Sequence, residues 1–153
     1  MQTFLPYKSF DESFKSLDYR RLGKQRVEAK QILNVLLGRT ETKGWRNHPI
    51  TKMWNGYESA LQMYFNLCVK EWIRRGYNNN MELEDIPDTI KYPHWLGMEL
   101  FHSSHRANLL RKDSEYYSKQ GWSEDSTNPY AWYDTDKLQW YLQHVGTGIR
   151  EYI

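Results

Sequence analysis

An apolar stripe at helical spacing runs directly out of a dense cationic cluster, and that pairing limits what this chain can fold into. Residues 17–37 read LDYRRLGKQRVEAKQILNVLL. Leu22, Val27, Ala29, Ile32, Leu33, Leu36 and Leu37 recur at the spacing of one helix face. Arg20, Arg21, Lys24, Arg26 and Lys30 put five cations into eleven positions, with Glu28 set among them. A basic tail has no use for a stripe that must be buried, so these charges sit on a packed helix. Cations fixed along a folded helix suit a polyanion, and nucleic acid is the commonest one. A carboxylate inside such a cluster is kept ionised and acts where positive charge develops.

The formal net charge is only +2 over 153 residues, so affinity for a polyanion has to come from a local patch. The charge is indeed segregated. Residues 18–30 carry five Lys/Arg against two acids, whereas residues 121–136 carry four acids and no Lys/Arg. Seven Trp and twelve Tyr serve either a core of large rings or stacking on bases. A lone cysteine, Cys68, excludes an internal disulfide, and its apolar surroundings fit a small buried residue. No apolar run reaches membrane-span length and no signal peptide is evident, so no membrane partner and a cytoplasmic location are expected.

The periodicities predict an all-α fold, a compact single-domain helical bundle of about four to five helices with long loops, covering 1–153. Ser9 through Glu12 reads as a capping box. The second helix starts near Asp18 and stops near Gly38, and a polar loop spans 39–48. Pro49 opens one long helix ending at Arg74-Arg75-Gly76. A loop from Asn78 to Pro93 leads to a helix from about Trp95 to Lys112. After Tyr116 and Tyr117 a polar loop reaches Pro129, and the cluster Tyr130-Ala131-Trp132-Tyr133 precedes a last helix at 135–145. No alternating strand is expected.

Three segments hold candidate chemistry. Arg20, Arg21, Lys24, Arg26 and Glu28 lie within about two helical turns, with Gly23 giving a phosphate close access to backbone. Lys24 and Glu28 at i,i+4 also fit a plain exposed ion pair. Trp45-Arg46-Asn47-His48-Pro49 precedes a helix N-terminus, where Asn47 or His48 either caps the helix or meets an anion. His102, His105, Leu109 and Lys112 share a helix face that also brings Arg106 and Arg111 nearby. With neither an HExxH motif nor a cysteine pair, no metal is expected, and no cofactor-binding motif is present. Histidines on a basic face donate to phosphate or carry protons.

Taken in order, Leu22-Gly23-Lys24-Gln25-Arg26-Val27-Glu28, Trp45-Arg46-Asn47-His48-Pro49, Arg74-Arg75-Gly76-Tyr77 and the HxSHxxxLLRKD stretch from His102 to Asp113 resemble the pyrimidine-dimer DNA glycosylase (endonuclease V type) family. They come closest to its short bacterial branch. The resemblance implies attack on C1′ of a damaged nucleotide by an N-terminal α-amine. It also implies a glutamate after a Tyr-Arg pair that stabilises the cationic intermediate, and arginines on the phosphates. Here Tyr19-Arg20 is followed by Arg21, and Glu28 is the nearby carboxylate able to substitute. Gln2 is too bulky for ordinary removal of Met1, so Met1 supplies the amine, with Lys24 as the other candidate.

The resulting expectation is a DNA N-glycosylase with possible lyase activity. Its catalytic candidates are Met1, Glu28, Lys24 and His105. The DNA-binding candidates are Arg20, Arg21, Arg26, Trp45, Arg46, Asn47, His48, His102, Arg106, Arg111, Lys112 and Trp132, with Trp45, Trp132 or Tyr133 wedging into duplex DNA while one base is extruded. Two other readings stay open: a non-catalytic DNA- or RNA-binding protein, and an enzyme acting on free nucleotides.

Overall fold

The computed structural model describes residues 1–41 and 43–153. Its described residues form six α-helices and one three-stranded antiparallel sheet, so the fold is α+β and the all-α expectation is corrected. The helices are α1 (Phe10–Ser16), α2 (Tyr19–Leu36), α3 (Pro49–Trp54), α4 (Glu58–Arg74), α5 (Glu99–Lys112) and α6 (Ser114–Tyr117). Two 3-10 turns, Lys43–Asn47 and Ser118–Gln120, and strands β1 (Tyr130–Asp134), β2 (Gln139–Gln143) and β3 (Arg150–Tyr152) complete it.

The first two helices start on side-chain caps. Ser9 Oγ accepts the Glu12 amide at 3.2 Å, and Asp18 accepts the Arg21 amide at 3.4 Å, which fixes the first turns of α1 and α2. Beyond α2, Gly38 takes φ +69°, the left-handed geometry that ends a helix. The polar loop expected at 39–48 contains the 3-10 turn, and Thr42 lies outside the described residues.

Two expectations give way downstream. The long helix from Pro49 is broken, because Asn55 is non-helical and Gly56 sits at φ +89°, separating α3 from α4. The helix expected at 135–145 is a hairpin. Asp134 Oδ1 accepts the amides of Asp136 and Lys137 at 3.0 Å each, closing a turn that sets Trp132 opposite Tyr141. Leu138, the supposed start of the helical apolar face, is the exposed turn residue, 74% accessible with φ +55°. Aromatic pairs across the ladder outweigh a four-residue coincidence of helical spacing.

The core joins α2, α4 and α5 through Leu22, Ile32, Leu33, Leu61, Phe65, Phe101 and Leu109, with Trp54 packed edge-on to Trp95 at 4.9 Å. Cys68 is buried there, and burial pushes its thiol up, out of reach of the thiolate form. No helix among the described residues is long and apolar enough to cross a membrane.

The element that positions the site is the irregular N-terminal segment. Gln2, Thr3, Phe4 and Leu5 are all buried although they form no helix or strand. Buried backbone outside regular structure needs side-chain partners, and three helices supply them. Gln25 of α2 accepts the Phe4 amide at 2.9 Å and donates to Gln2 O at 2.9 Å. The Tyr64 hydroxyl of α4 reaches Phe4 O at 3.0 Å and Gln25 Oε1 at 2.6 Å. From α5, His105 Nδ1 accepts the Leu5 amide at 2.9 Å while His102 Nδ1 lies 2.7 Å from Leu5 O.

Candidate active site

A cavity of about 700 Å³ opens where the N-terminal segment, the first half of α2, the end of α5 and β1 converge. Met1, Gln2 and Phe4 form one wall, Arg20, Arg21, Lys24 and Glu28 a second, and Lys112, Tyr116, Tyr130 and Trp132 a third. Helical periodicity explains the second wall, since residues 20, 21, 24, 25 and 28 fall on one side of α2. Gln25, at 1% exposure, is the point where that wall is pinned to the N-terminal segment.

Three carboxylates face this cavity, and two are spent on structure. Asp18 caps α2, accepts a short hydrogen bond from the Tyr117 hydroxyl and pairs with Arg21 at 3.2 Å. Burial opposes its charge, but the Tyr117 and Arg21 contacts prevail and hold its carboxyl below the usual range. Asp113 caps α6 through the Tyr116 amide at 3.1 Å. Glu28 caps nothing. Its Oε2 accepts the Gln2 amide at 3.4 Å and Gln25 Nε2 at 3.2 Å, and Lys24 Nζ stands 4.0 Å from Oε1.

The amines divide sharply. The Lys24 side chain is 74% exposed, at the outer lip. At Lys112, burial first, then the like charges of Arg21, Arg111 and Lys24, pull the ammonium below the usual lysine range. Met1 is half-buried on the wall beside Gln2 and Glu28. Its terminal charge, together with the larger effect of burial, also holds His48 below the ordinary histidine range. His48 Nδ1 accepts the Ile50 amide at 3.1 Å, so the neutral ring carries its proton on Nε2 and is a donor there. The ring stands 6.3 Å from Trp132, which is 6% exposed and walls the cavity.

The structure thus brings Met1, Glu28, Lys24, Arg20, Arg21, Lys112 and Trp132 to one cavity, with His48 adjoining it. Other predicted residues lie elsewhere. His102 and His105 are buried and hold Leu5. Because His102 Nε2 accepts the Gly97 amide at 2.8 Å, its Nδ1 carries the proton given to Leu5 O. Burial pushes both imidazoles down, His105 furthest. Arg106 is occupied by Glu124 at 2.9 Å, by Glu99 and by Pro6 O at 2.7 Å. Arg26 stacks on Trp72 at 4.5 Å and donates to Asn79 at 2.7 Å. Arg111 reaches Ser126 O at 3.4 Å. Trp45, Arg46 and Asn47 are exposed on the 3-10 turn before α3.

Sequence reasoning missed Gln2, Gln25, Tyr19, Tyr116 and Tyr130 as cavity residues. Gln25 left a readable trace. It is a lone amide within the apolar face of α2, between Leu22 and Ala29, where a polar group must have a buried partner.

The cavity is thus basic, with one carboxylate that caps no helix, Glu28, and amines at its wall. Residues 1–85 match the family model for pyrimidine dimer DNA glycosylase, and the chain belongs to that family. Its function is therefore of the DNA-glycosylase repair type, with DNA as substrate. The matched residues contain the N-terminal segment, α2 and the whole Met1–Glu28 wall, and they end at the loop that Glu84 anchors. No curated protein and no solved structure shows significant similarity to the chain.

Proposed function

We propose that this protein removes a damaged or modified base from duplex DNA by amine attack, with strand nicking as a consequence. The observation that carries the reading is the Gln2–Glu28 contact, which sets the one cavity carboxylate that caps no helix beside the first residues of the chain. The Met1 nitrogen, in its neutral form, bonds to C1′ of the target nucleotide. The bond from C1′ to the base breaks, and the base leaves with the electron pair and takes a proton from solvent. Positive charge grows on the sugar and then on the imine nitrogen. Glu28 stabilises it electrostatically, an interaction made only once the charge develops. That imine forms as the C1′–O4′ bond breaks and O4′ takes the proton lost by the attacking amine. Loss of a C2′ proton to solvent then expels the 3′ phosphate with its electron pair, and water hydrolyses the imine.

Arg20, Arg21, Lys24 and Lys112 neutralise the phosphates flanking the target, while Arg46, Asn47, Arg111 and the Nε2–H of His48 extend the contact along the strand. Tyr130 and Trp132, their rings inclined at 48°, form the aromatic wall against which an extruded base rests. His102 and His105 act as positioning residues, because they hold the Leu5 peptide and so the segment that carries Met1. The whole chain, 1–153, works as one domain, since α5 and β1, outside the family match, complete the cavity.

One observation favours a second reading, a DNA-binding protein without turnover. Position 21, directly after the Tyr-Arg pair, carries a guanidinium that braces the α2 cap at 3.2 Å where the family pattern has a carboxylate. Base release from ultraviolet-irradiated duplex, compared between the parent and Glu28→Gln, separates the two. A glycosylase loses release in the variant while its DNA affinity holds. A binder shows no release in either protein.

A further inference from the structure

Outside the cavity, but continuous with its lip, α2 and the end of α4 build a run of stacked rings. Tyr77 stacks on Trp72 with centroids 4.4 Å apart and on Tyr19 with centroids 6.1 Å apart, at interplanar angles near 30° in both cases. Guanidiniums flank the run, with Arg26 4.5 Å from the Trp72 ring and Arg20 5.7 Å from the Tyr19 ring. The assembly is fixed in place. Trp72 Nε1 donates to Asn78 O at 2.8 Å, Arg26 donates to Asn79 at 2.7 Å, and Arg20 Nε donates to the Tyr19 hydroxyl at 3.0 Å. Gly23 is required beneath it, because a Cβ there would lie 2.8 Å from the Trp72 ring edge. Yet the run ends on rings left open to solvent, with Tyr19 49% and Tyr77 39% exposed. A set of rings locked so carefully, then half exposed among arginines, is costly surface unless something flat and anionic covers it.

We propose that Tyr19, with Tyr77 behind it, is a stacking platform for an unpaired nucleobase of the DNA next to the nucleotide held in the cavity. The inference rests on the DNA reading above and adds the state of the substrate: a strand with a base out of the helix at the lip. Tyr19 and Arg20 line the cavity themselves, so a base on the platform is a near neighbour of the target along the same path. Every base offers a π-face, so the platform reads pairing state rather than sequence, and the flanking cations hold the phosphates on either side. This explains why the side of α2 carrying Tyr19 and Arg26 is not a plain solvated face.

The test is fluorescence anisotropy with undamaged DNA, which needs no base release and so stands or falls separately from the glycosylase reading. The probes are a labelled oligothymidylate of about eight nucleotides and a fully paired duplex of the same length. Tyr19→Ala is expected to weaken the single strand by about 10-fold while the duplex changes little, and Tyr19→Phe is expected to keep both affinities. The salt dependence of binding stays as in the parent, because no charge is removed. Equal weakening of both probes would make Tyr19 a general structural contact and overturn the proposal, and so would unchanged single-strand affinity in Tyr19→Ala.

Discussion

The Gln2 amide donates to Glu28 Oε2 across 3.4 Å, joining the second residue of the chain to a carboxylate about two turns of helix away from the arginines that rim the same cavity. Gln25 makes this contact possible. One amide side chain accepts from Phe4, donates to Gln2 O and donates to Glu28, so three atoms of the wall are set by one residue. The N-terminal segment could not sit in the core without it, since it has no strand partner.

Gln25→Leu is therefore expected to be far more damaging than an average helix substitution. It strands the Phe4 amide and the Gln2 carbonyl, each at a cost of about 1–3 kcal/mol. Urea denaturation measures the loss. Activity in the folded fraction falls too, because the segment that carries Met1 loses its tie to α2 through Gln2 and Phe4.

Glu84 anchors the loop after α4. Its buried carboxylate takes Arg39 in a bidentate pair at 2.9 Å, Gln62 at 3.1 Å and a short bond from Lys30. The Arg39 hydrogen bonds lead, and the pKa is drawn down to about 2. A depressed carboxyl contributes stability above its unfolded value of about 4.3 and loses it as pH falls toward 2. Glu84→Gln should lower stability at pH 7 by about 2–3 kcal/mol. It should also flatten the acid limb of a stability–pH curve between about 4.3 and 2.

The paired histidines predict a different window. His102 and His105 are both held below the ordinary imidazole value by burial, so the fold binds them neutral. Stability from these groups is complete above about 6.5, the unfolded value, and declines as pH falls below it. Hydrogen exchange at the Leu5 amide reports it directly. Protection there should drop on acidification through that window, and in His105→Phe, where the Leu5 amide has lost its acceptor, it should be low even above about 6.5.

Gly23 supplies a test of sign. In an open helix, Gly to Ala adds up to about 1 kcal/mol of stability. Here the added methyl meets Trp72 at 2.8 Å, and that ring is held by Tyr77, Arg26 and Asn78. Gly23→Ala is expected to destabilise, read as a lower melting temperature with a change in tryptophan emission.

How much of this was legible beforehand follows from the physics of each part. The α2 wall was readable because a helix writes its faces at 3.6-residue spacing, and Arg20, Arg21, Lys24 and Glu28 fall on one of them. The sheet was not, since residues 138, 141, 142 and 145 imitate a helical stripe, and the turn chemistry of Asp134 was what distinguished a hairpin. The burial of His102 and His105 was hidden as well. Their partner is the backbone of Leu5, about a hundred residues away, and no local pattern announces a contact of that range. Tyr130, a cavity residue missed from the sequence, reaches the site by tertiary packing alone, whereas Gln25 was readable as the lone amide in the apolar face of α2.

The account turns on the amine at the cavity wall, and borohydride trapping on duplex DNA carrying an abasic site tests it most directly. Reduction of an imine would leave a covalent adduct whose position mass spectrometry can assign. The geometry predicts an adduct on the Met1 nitrogen that a short N-terminal extension abolishes and that Lys24→Ala leaves intact. An adduct confined to a lysine, or no adduct with either abasic or irradiated DNA, would contradict it.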